Sequence, residues 1–437
     1  MTIGFENASG ARRGLSLACA ALLLTTTLGC ARSPQYNRIQ GMMLEPARDA
    51  ERIGNYERAF ELYKDVAEDG VVVAQVKLAQ FYEKGQGTPQ NDAEAARWYE
   101  AAANAGDTRA YGSLARAYES GIGVPKDEAR AYELYVKAAA AGNESAAFKA
   151  GQFLERGRGG SADPAAAARY YEIAAAAGNE NAQLALAELY RKGNGVAADP
   201  EAATRWYAAA AAAIEAKARG GDVRAQDRLG QLYLAGQGVP KDPATGINWL
   251  NTAALKGFAN SQARLGRLFE QGSSDVQPDA ALALRYYEMA AAQGDRNASY
   301  ALGKLYASGN GVARDGPRAA ELFQQSAGAG QIYAYGQLGD LYARGDAVPK
   351  DEAEAVRWYT EGARHGDANA MRKVGEAYAA GRGVEQDRMM ALMWFMLSEQ
   401  EGDERSSARV AELTAELDPA SVTRAEGLAE AWRRGNL

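Results

Sequence analysis

The stretch LARAYESGIGVPKDEARAYELYVKAAAAGNESA, residues 114–146, is one copy of a pattern that recurs along most of this 437-residue chain. Its most regular feature is a loop glycine that returns every 36 residues with two exceptions, three positions after an aromatic residue or leucine. These loop glycines are Gly85, Gly121, Gly157, Gly193, Gly236, Gly272, Gly309, Gly345 and Gly381. A fixed period of this length indicates stacked repeats and not two or three ordinary domains.

The residues before the loop glycine predict a helix. Ala110, Leu114, Ala117 and Tyr118 follow one another at i, i+4, i+7 and i+8, which places them on one helical face. Gly121 then suits the left-handed residue that ends many helices, because it has no Cβ to clash. The first half of each repeat is therefore predicted to be an amphipathic helix that stops at its glycine.

The second half of the repeat predicts another helix. Asp127 is well placed to accept hydrogen bonds from the free N–H groups at a helix start. Apolar residues follow at helical spacing: Ala131, Leu134, Tyr135, Ala138 and Ala139. Gly142 ends this helix, and the next repeat begins. Since one helix pair cannot bury such a face alone, neighbouring pairs are expected to stack.

The full pattern, A-x-x-L-(A/G)-x-x-Y-x-x-G-x-G-V-x-x-D-x-x-x-A-x-x-W-Y-x-x-A-A-x-x-G, resembles the Sel1-like repeat, a relative of the tetratricopeptide repeat. The resemblance covers residues 47–417. It implies an all-α fold, an α-solenoid in which about ten helix pairs form a right-handed superhelix. Asp418 and Pro419 predict the start of a C-terminal capping helix over residues 418–437.

Two departures from the pattern bear on function. Seven extra residues lie between Gly193 and Gly236, and they predict a helix that is two turns longer and projects past its neighbours. This extension is either a neutral elongation or a docking element. Four methionines surround Trp394, and they are either core or the lining of a partner groove; we favour the core. They are Met389, Met390, Met393 and Met396.

The N-terminus predicts export. Arg12 and Arg13 precede an apolar run over residues 14–28, which is the order of a secretory signal. The run is shorter than the roughly 20 residues that a membrane-spanning helix needs. We therefore interpret residues 1–29 as a signal peptide. Residues 30–46 show no clear period and predict a tether between the signal and the repeats.

Cys30 has two interpretations. It follows Gly29 at the end of the apolar run, and this arrangement resembles a bacterial lipobox, although Thr27 stands where that motif prefers leucine. The alternative is ordinary signal cleavage that leaves a free thiol. We favour lipidation, because Cys19 would leave with the signal and a lone thiol cannot form an internal disulfide. By the same resemblance, Ala31 after the cysteine implies the outer membrane.

No pattern in the sequence predicts catalysis. His365 is the one histidine, and equivalent positions in other repeats hold alanine, lysine or glutamine, which indicates a surface position. No zinc-ligand cluster, phosphate-binding loop or nucleophile motif is present, so we predict no catalytic residue, no metal and no cofactor. The net charge of −7 argues against nucleic acid as a partner.

Stacked helix pairs offer large surfaces for protein segments. The resemblance extends to lipid-anchored Sel1-like scaffolds of alginate and related exopolysaccharide secretion. It implies an outer-membrane-anchored periplasmic scaffold whose partners are proteins, among them an outer-membrane porin and periplasmic secretion components. The alternative is a periplasmic Sel1-like regulator that binds a sensor kinase or another signalling protein.

Overall fold

The computed structural model describes residues 34–345 and 348–435 of the chain. Within those ranges it contains 22 α-helices, one 3₁₀ helix and no β-strand, so the predicted all-α fold is confirmed. The chain divides into two compact units, with unit 1 ending at Ala210 and unit 2 beginning at Ala211. The division falls inside helix α10, and each unit is described by itself below.

Unit 1 holds nine complete helices and the first half of the tenth. They are α1 (Pro34–Arg52), α2 (Tyr56–Glu68), α3 (Val72–Lys84), α4 (Asp92–Asn104), α5 (Thr108–Ser120), α6 (Glu128–Ala140), α7 (Glu144–Arg156), α8 (Pro164–Ala176), α9 (Glu180–Lys192) and α10 (Pro200–Arg219). The helices joined by the glycine loop, such as α5 and α6, form the closest pairs, and each pair packs on the next.

Unit 2 holds the second half of α10 and all later helices. They are α11 (Val223–Ala235), α12 (Pro243–Leu255), α13 (Ala259–Gln271), α14 (Ala280–Ala291), α15 (Arg296–Ser308), α16 (Gly316–Gly328), α17 (Tyr333–Arg344), α18 (Glu352–Arg364), α19 (Ala368–Ala380), α20 (Arg388–Gln400), α21 (Ser407–Glu416) and α22 (Pro419–Arg433). The short 3₁₀ helix Glu404–Ser406 precedes α21.

The loops between paired helices fix how one pair meets the next. Gly121 has a φ of 71°, and its N–H donates to the carbonyl of Ala117 to close α5. Gly123 follows at φ 74°, and a Cβ atom there would overlap the carbonyl of Asp92 on the preceding pair. The second glycine of the loop is therefore required by contact between repeats as well as by its backbone angle.

Closely approaching helices explain the small residues inside each pair. A Cβ atom added to Gly303 of α15 would lie 2.6 Å from the ring of Phe323 on α16. In unit 1, Ala115 of α5 occupies the equivalent place and is fully buried. A large side chain on one helix of the pair thus faces a glycine or alanine on the other, as close packing requires.

The C-terminal helices cover the last repeat. Asp418 caps α22, and its side chain accepts a hydrogen bond from the N–H of Ser421. Trp432 of α22 meets Trp394 of α20 edge to face, with ring centroids 4.6 Å apart. Met393 is buried and the other three methionines of this helix are half-buried against the same cluster. The methionine stripe therefore belongs to the core.

Helix α10 departs from one expectation. It has 20 residues where the paired helices of neighbouring repeats have 13, so the insertion does lengthen the helix. Its last turns do not project freely, however, because Ile214 and Ala218 are each only 1% exposed. The side chain of Gln226 also donates to the carbonyl of Ala218 at 2.9 Å. Apolar residues within the insertion explain why it is covered.

Helix α1 corrects the expectation of an irregular tether as far as residue 46. The structure has a helix from Pro34 to Arg52, with Leu44, Ala47 and Ala50 buried. These three residues recur every third position and pack in one cluster with α2 and α3. Residues 1–33, which include Cys30 and the predicted signal peptide, lie outside the described residues. No described helix is long and apolar enough to cross a bilayer.

Candidate interaction surface

One face of the first helix in each pair carries a recurring series of polar contacts to neighbouring helices. We call it the ladder face, defined by the side chains eight, five and two positions before the loop glycine on α3, α5, α7, α9, α11, α13, α15, α17 and α19. Cations and carboxylates at these positions meet across successive helices. Lys149 of α7 lies 3.2 Å from Glu119 of α5, and Arg116 of α5 lies 3.6 Å from Glu83 of α3.

In unit 1 every ladder carboxylate accepts a hydrogen bond from a buried tyrosine on the paired helix. The donor hydroxyl and the acceptor oxygen are 2.6 Å apart in three of the four pairs. The pairs are Tyr99 with Glu83, Tyr135 with Glu119, Tyr171 with Glu155, and Tyr207 with Glu188. Each bond gives a buried hydroxyl an acceptor.

Glu119 is bonded by three different side chains. It accepts from Tyr135 and from Lys149 and Arg158, whose Nη1 lies 3.0 Å away. Burial alone would raise its pKa, but the three donors outweigh that effect and lower the pKa. Burial, and then the bond to Glu119, raises the pKa of Tyr135. The carboxylate is thus held ionised and the phenol neutral.

Glu188 shows the same chemistry three residues earlier, about one helical turn, on its helix. Hydrogen bonds from Arg191 and Tyr207, set against partial burial, lower its pKa to about 2. Burial, with the bond to Glu188, raises the pKa of Tyr207 to about 12. The tyrosine thus reaches a carboxylate either two or five positions before the loop glycine, since both positions lie on the ladder face.

The ladder face of unit 1 contains a cavity of about 380 Å³. Its walls combine the Arg116 and Lys149 cations with alanines of α4 and with Ile122 from the loop. Ile122 is 54% exposed, although most residues at this loop position in other repeats are polar. A charge-paired wall beside an exposed apolar side chain suits a protein segment that offers both kinds of group.

Unit 2 keeps the tyrosine–carboxylate pair in two of its five repeats. Tyr287 donates to Glu270 at 2.6 Å, and Tyr359 donates to Asp340 at 2.7 Å. The other three repeats have Leu250, Phe323 and Phe395 in place of the tyrosine. No buried hydroxyl is present there, and so no carboxylate is required as its acceptor.

Two cavities lie on the ladder face of unit 2. One, of about 280 Å³, is beside Asp340, Tyr359 and Lys373. The other, of about 290 Å³, is lined by Arg264 and Arg267 together with amide side chains. The second cavity differs from that of unit 1 because Arg267 has no carboxylate within 4.0 Å among the described residues, although Arg264 lies 3.5 Å from Asp227.

The predicted repeat residues occupy structural places. Tyr118 is half-buried, and its carbonyl accepts from the N–H of Asp127 at 2.9 Å. The side chain of Asp127 in turn caps α6 by accepting from the N–H of Arg130. Gly121 and Gly142 have left-handed φ angles of 71° and 88°. All four shape the repeat, and none lines the ladder-face cavities described above. Cys30, the predicted lipidation site, lies outside the described residues.

His365 lies at the C-terminal end of α18 and is exposed to solvent. Its ring stacks on Tyr335 with centroids 5.0 Å apart. In the part of the chain that the structure describes, no carboxylate forms an ion pair or hydrogen bond with this imidazole, as the orienting group of a catalytic histidine would. Among the described residues no group of three or more histidine, cysteine or acidic side chains is arranged to hold a metal ion.

The tyrosine–carboxylate pairs are the feature that the sequence analysis missed. A signal was available, because glutamate stands two positions before the loop glycine at Glu83, Glu119, Glu155 and Glu270. Each of these repeats has a tyrosine as the buried aromatic of the second helix. The repeats with leucine or phenylalanine at that place lack this glutamate, so the two positions vary together within the chain.

Comparison with known families supports the repeat assignment. The model described as the Sel1 repeat matches ten segments, at residues 41–70, 72–107, 109–143, 144–179, 181–213, 223–258, 259–295, 296–331, 332–367 and 368–403. The first segment begins within α1, which agrees with that helix packing as part of the array. A search of curated proteins gives no match.

Among solved structures, a protective antigen present in uropathogenic Escherichia coli strains, which displays an SLR fold, is 28% identical to this chain. The likeness covers 98% of this chain and 95% of the antigen, with a TM-score of 0.51. A Sel1 repeat protein from Oxalobacter formigenes is 27% identical and has a TM-score of 0.48. That match covers 57% of this chain and 96% of the other.

Proposed function

Because the chain belongs to the Sel1 repeat family, we propose that it is a lipid-anchored periplasmic scaffold that holds other proteins through its ladder face. Arrays of Sel1 and tetratricopeptide-related helix pairs serve as surfaces for protein–protein interaction. The observation that carries the proposal here is the cavity of about 380 Å³ in unit 1. Its carboxylates Glu83 and Glu119 are already hydrogen-bonded to buried tyrosines, so binding needs little further ordering of these two side chains.

Site-specific photocrosslinking tests the ladder face as the binding surface. A photoreactive amino acid at Ser113, which lines the cavity, should crosslink a partner protein in intact cells. The matched control is the same amino acid at Arg169, an exposed residue of α8 that lines none of the ladder-face cavities described above. Equal crosslinking from both positions, or none from Ser113, would contradict the proposal.

The proposed anchor is a lipid on Cys30. Metabolic labelling with a fatty-acid analogue should mark the wild-type protein and leave Cys30→Ala unmarked. Cys19→Ala is the control and should keep the label, since Cys19 lies in the proposed signal peptide. Label on the Cys30→Ala variant, or none on the wild type, would overturn lipidation and favour a soluble periplasmic regulator of a signalling protein.

We further propose the outer membrane as the location and exopolysaccharide secretion as the process. The support is the resemblance of the N-terminal segment and the repeats to lipid-anchored scaffolds of that kind. Mass spectrometry of the species crosslinked at Ser113 tests the assignment. An outer-membrane porin or a periplasmic secretion component would support it, whereas a sensor kinase would overturn it.

A further inference from the structure

Cations of the ladder face in unit 1 are matched by carboxylates. Each lysine or arginine at a ladder position lies within 3.6 Å of an acidic oxygen. The pairs are Lys77 with Glu51, Arg116 with Glu83, Lys149 with Glu119, and Arg191 with Glu188. This part of the surface is therefore close to neutral over short distances.

On α13 and α15 of unit 2, one ladder-face cation of each helix is not matched. Arg267 and Lys304 stand five positions before their loop glycines, and both are exposed. Among residues 34–345 and 348–435, neither has a carboxylate within 4.0 Å. Arg264, one turn before Arg267, has only Asp227 at 3.5 Å, and its buried Nε makes no hydrogen bond.

A cavity of about 290 Å³ opens beside these arginines. One side of α13 supplies four of its lining residues, at spacings of four, three and four: Asn260, Arg264, Arg267 and Gln271. Two carboxylates also line the cavity, and both already accept hydrogen bonds. Glu270 accepts from Tyr287, and Asp295 accepts from the first N–H groups of α15. The guanidinium groups are the donors left for a ligand.

We propose that this cavity binds an acidic segment of a partner protein, with Arg264 and Arg267 holding one carboxylate. Lys304 lies on the ladder face of α15 outside the cavity, and it would hold a second carboxylate where the segment continues past the cavity. The inference rests on the proposed scaffold function and names the chemistry of its partner. Guanidinium groups pair well with carboxylates, and the three cations stand out on a chain whose net charge is −7. An acidic segment would be drawn here in preference to the neutral ladder of unit 1.

Two observations favour a peptide over an anionic polysaccharide. Asn260, Gln271 and Asn297 line the cavity, and amide side chains match the N–H and C=O groups of a peptide backbone. The cationic region is also short. The next equivalent positions, on α17 and α19, hold Asp340 and Glu376, so an anionic chain that continued along the ladder face would meet negative charge.

Binding of defined probes to the full mature chain tests this site. The probes are an eight-residue peptide of alternating glutamate and alanine, its glutamine counterpart, and a short oligouronate, each followed by fluorescence anisotropy at low ionic strength. The glutamate peptide should bind, and should lose affinity as salt rises. Arg267→Gln should weaken it about tenfold, the loss expected for one charge-assisted contact.

Arg285→Gln is the matched control, since Arg285 is an exposed arginine of α14 that does not line the cavity. It should leave affinity unchanged. Equal affinity for Arg267→Gln and wild type, or tighter binding of the oligouronate than of the peptide, would overturn the inference. The scaffold function is tested separately: crosslinking from Ser113 in unit 1 would survive the failure of this site, and its absence would contradict the scaffold itself.

Discussion

Units 1 and 2 solve the same packing problem with different residues. Four successive pairs in unit 1 bury a tyrosine, and the methyl of an alanine faces it in three of them, at Ala79, Ala115 and Ala187. Unit 2 has glycine at all five such places, opposite leucine, tyrosine or phenylalanine. The glycines are Gly230, Gly266, Gly303, Gly339 and Gly375.

The difference shows that the repeat pattern allows two kinds of helix contact. Unit 1 accepts a methyl between the helices and fastens the aromatic ring by a hydrogen bond to a carboxylate. Unit 2 has no room for a Cβ at four of these glycines and little room at Gly375, and in most of its repeats it places an apolar side chain against the bare backbone. Hydrogen bonds thus contribute more to specifying a single packed arrangement of the helices in unit 1. Shape complementarity between side chains contributes more in unit 2.

The largest effect should come from adding bulk in unit 2. Gly303→Val should destabilise unit 2 by about 3 kcal/mol, because the new side chain meets the buried ring of Phe323 and overpacking outweighs better helix propensity. Hydrogen exchange measured by mass spectrometry would locate the loss in α15 and α16. The control is Gly427→Ala in α22, where a Cβ has open space and stability should be kept or raised.

The next largest effect should come from removing a carboxylate in unit 1. Glu119→Leu should cost about 2–3 kcal/mol, since it leaves the Tyr135 hydroxyl and the Lys149 ammonium without their acceptor. Tyr135→Phe alone should cost about 1 kcal/mol, because Glu119 keeps its cationic partners. Urea unfolding of the two single variants and the double variant gives the coupling free energy between the two side chains.

The double variant resembles the arrangement that unit 2 already has at Phe323 and Ala307. Its cost should therefore be less than the sum of the single costs. Additive costs would mean that the tyrosine and the carboxylate act independently, and the contrast between the units would lose its basis.

A smaller contrast between the two units is expected in how their folding stability changes at low pH. The pKa of Glu188 is lowered to about 2 in the fold, so its stabilisation is present above its unfolded pKa of about 4.3 and is lost as pH falls towards 2. Glu188→Gln should flatten the acid side of the stability profile of unit 1. Identical stability profiles for the variant and the wild type between pH 5 and pH 2 would contradict the stabilisation of the Glu188 carboxylate by its partners on the ladder face.

Asp367 in unit 2 should behave in the opposite direction. Burial raises its pKa, so the folded state binds its proton more readily and gains stability as pH falls through the raised value. Asp367→Asn keeps a capping side chain at α19 and should stabilise unit 2 near pH 7. Thermal melts should show this advantage shrinking towards pH 3, and a constant difference would argue against the raised pKa.

The smallest effect should follow from His365→Ala. The imidazole is exposed, and the equivalent position in unit 1, Ala141, already ends its helix with alanine. Stability should change by no more than about 0.5 kcal/mol in a thermal melt. A larger loss would show that the stack on Tyr335 supports the repeat, in contrast to the tolerance seen in unit 1.

Helix pairs and their ends were predictable because each depends on one residue and its local backbone. Gly121 and Asp127 act through φ angles and N–H groups within a few positions, and such signals are visible in a sequence. The Tyr135–Glu119 bond joins helices whose register is fixed only by packing, so periodicity alone did not predict it. Helix α1 escaped prediction because only its last turns, near Leu44, carry an apolar period.

The ligand-facing features were harder to predict for a related reason. An arginine at a predicted helix surface is common in sequences. The lack of a carboxylate partner for Arg267 can be seen only in the three-dimensional structure. The covered insertion in α10 is similar, because nothing in an alanine-rich run shows that Ile214 will be buried. The ends of a helix depend on single residues and can be predicted from the sequence. Contacts between side chains of different helices depend on how the helices pack, and they become visible only in the folded array.

The overlap that a Cβ at Gly123 would make with the carbonyl of Asp92 has a consequence for how such chains lengthen. Both partners of this junction lie within adjoining repeats, so duplicating or deleting one whole repeat recreates the junction unchanged. Contacts between distant parts of the sequence are not needed at that point. Folding can start at any helix pair and spread to its neighbours. In evolution the array can gain or lose whole repeats without needing new contacts between them.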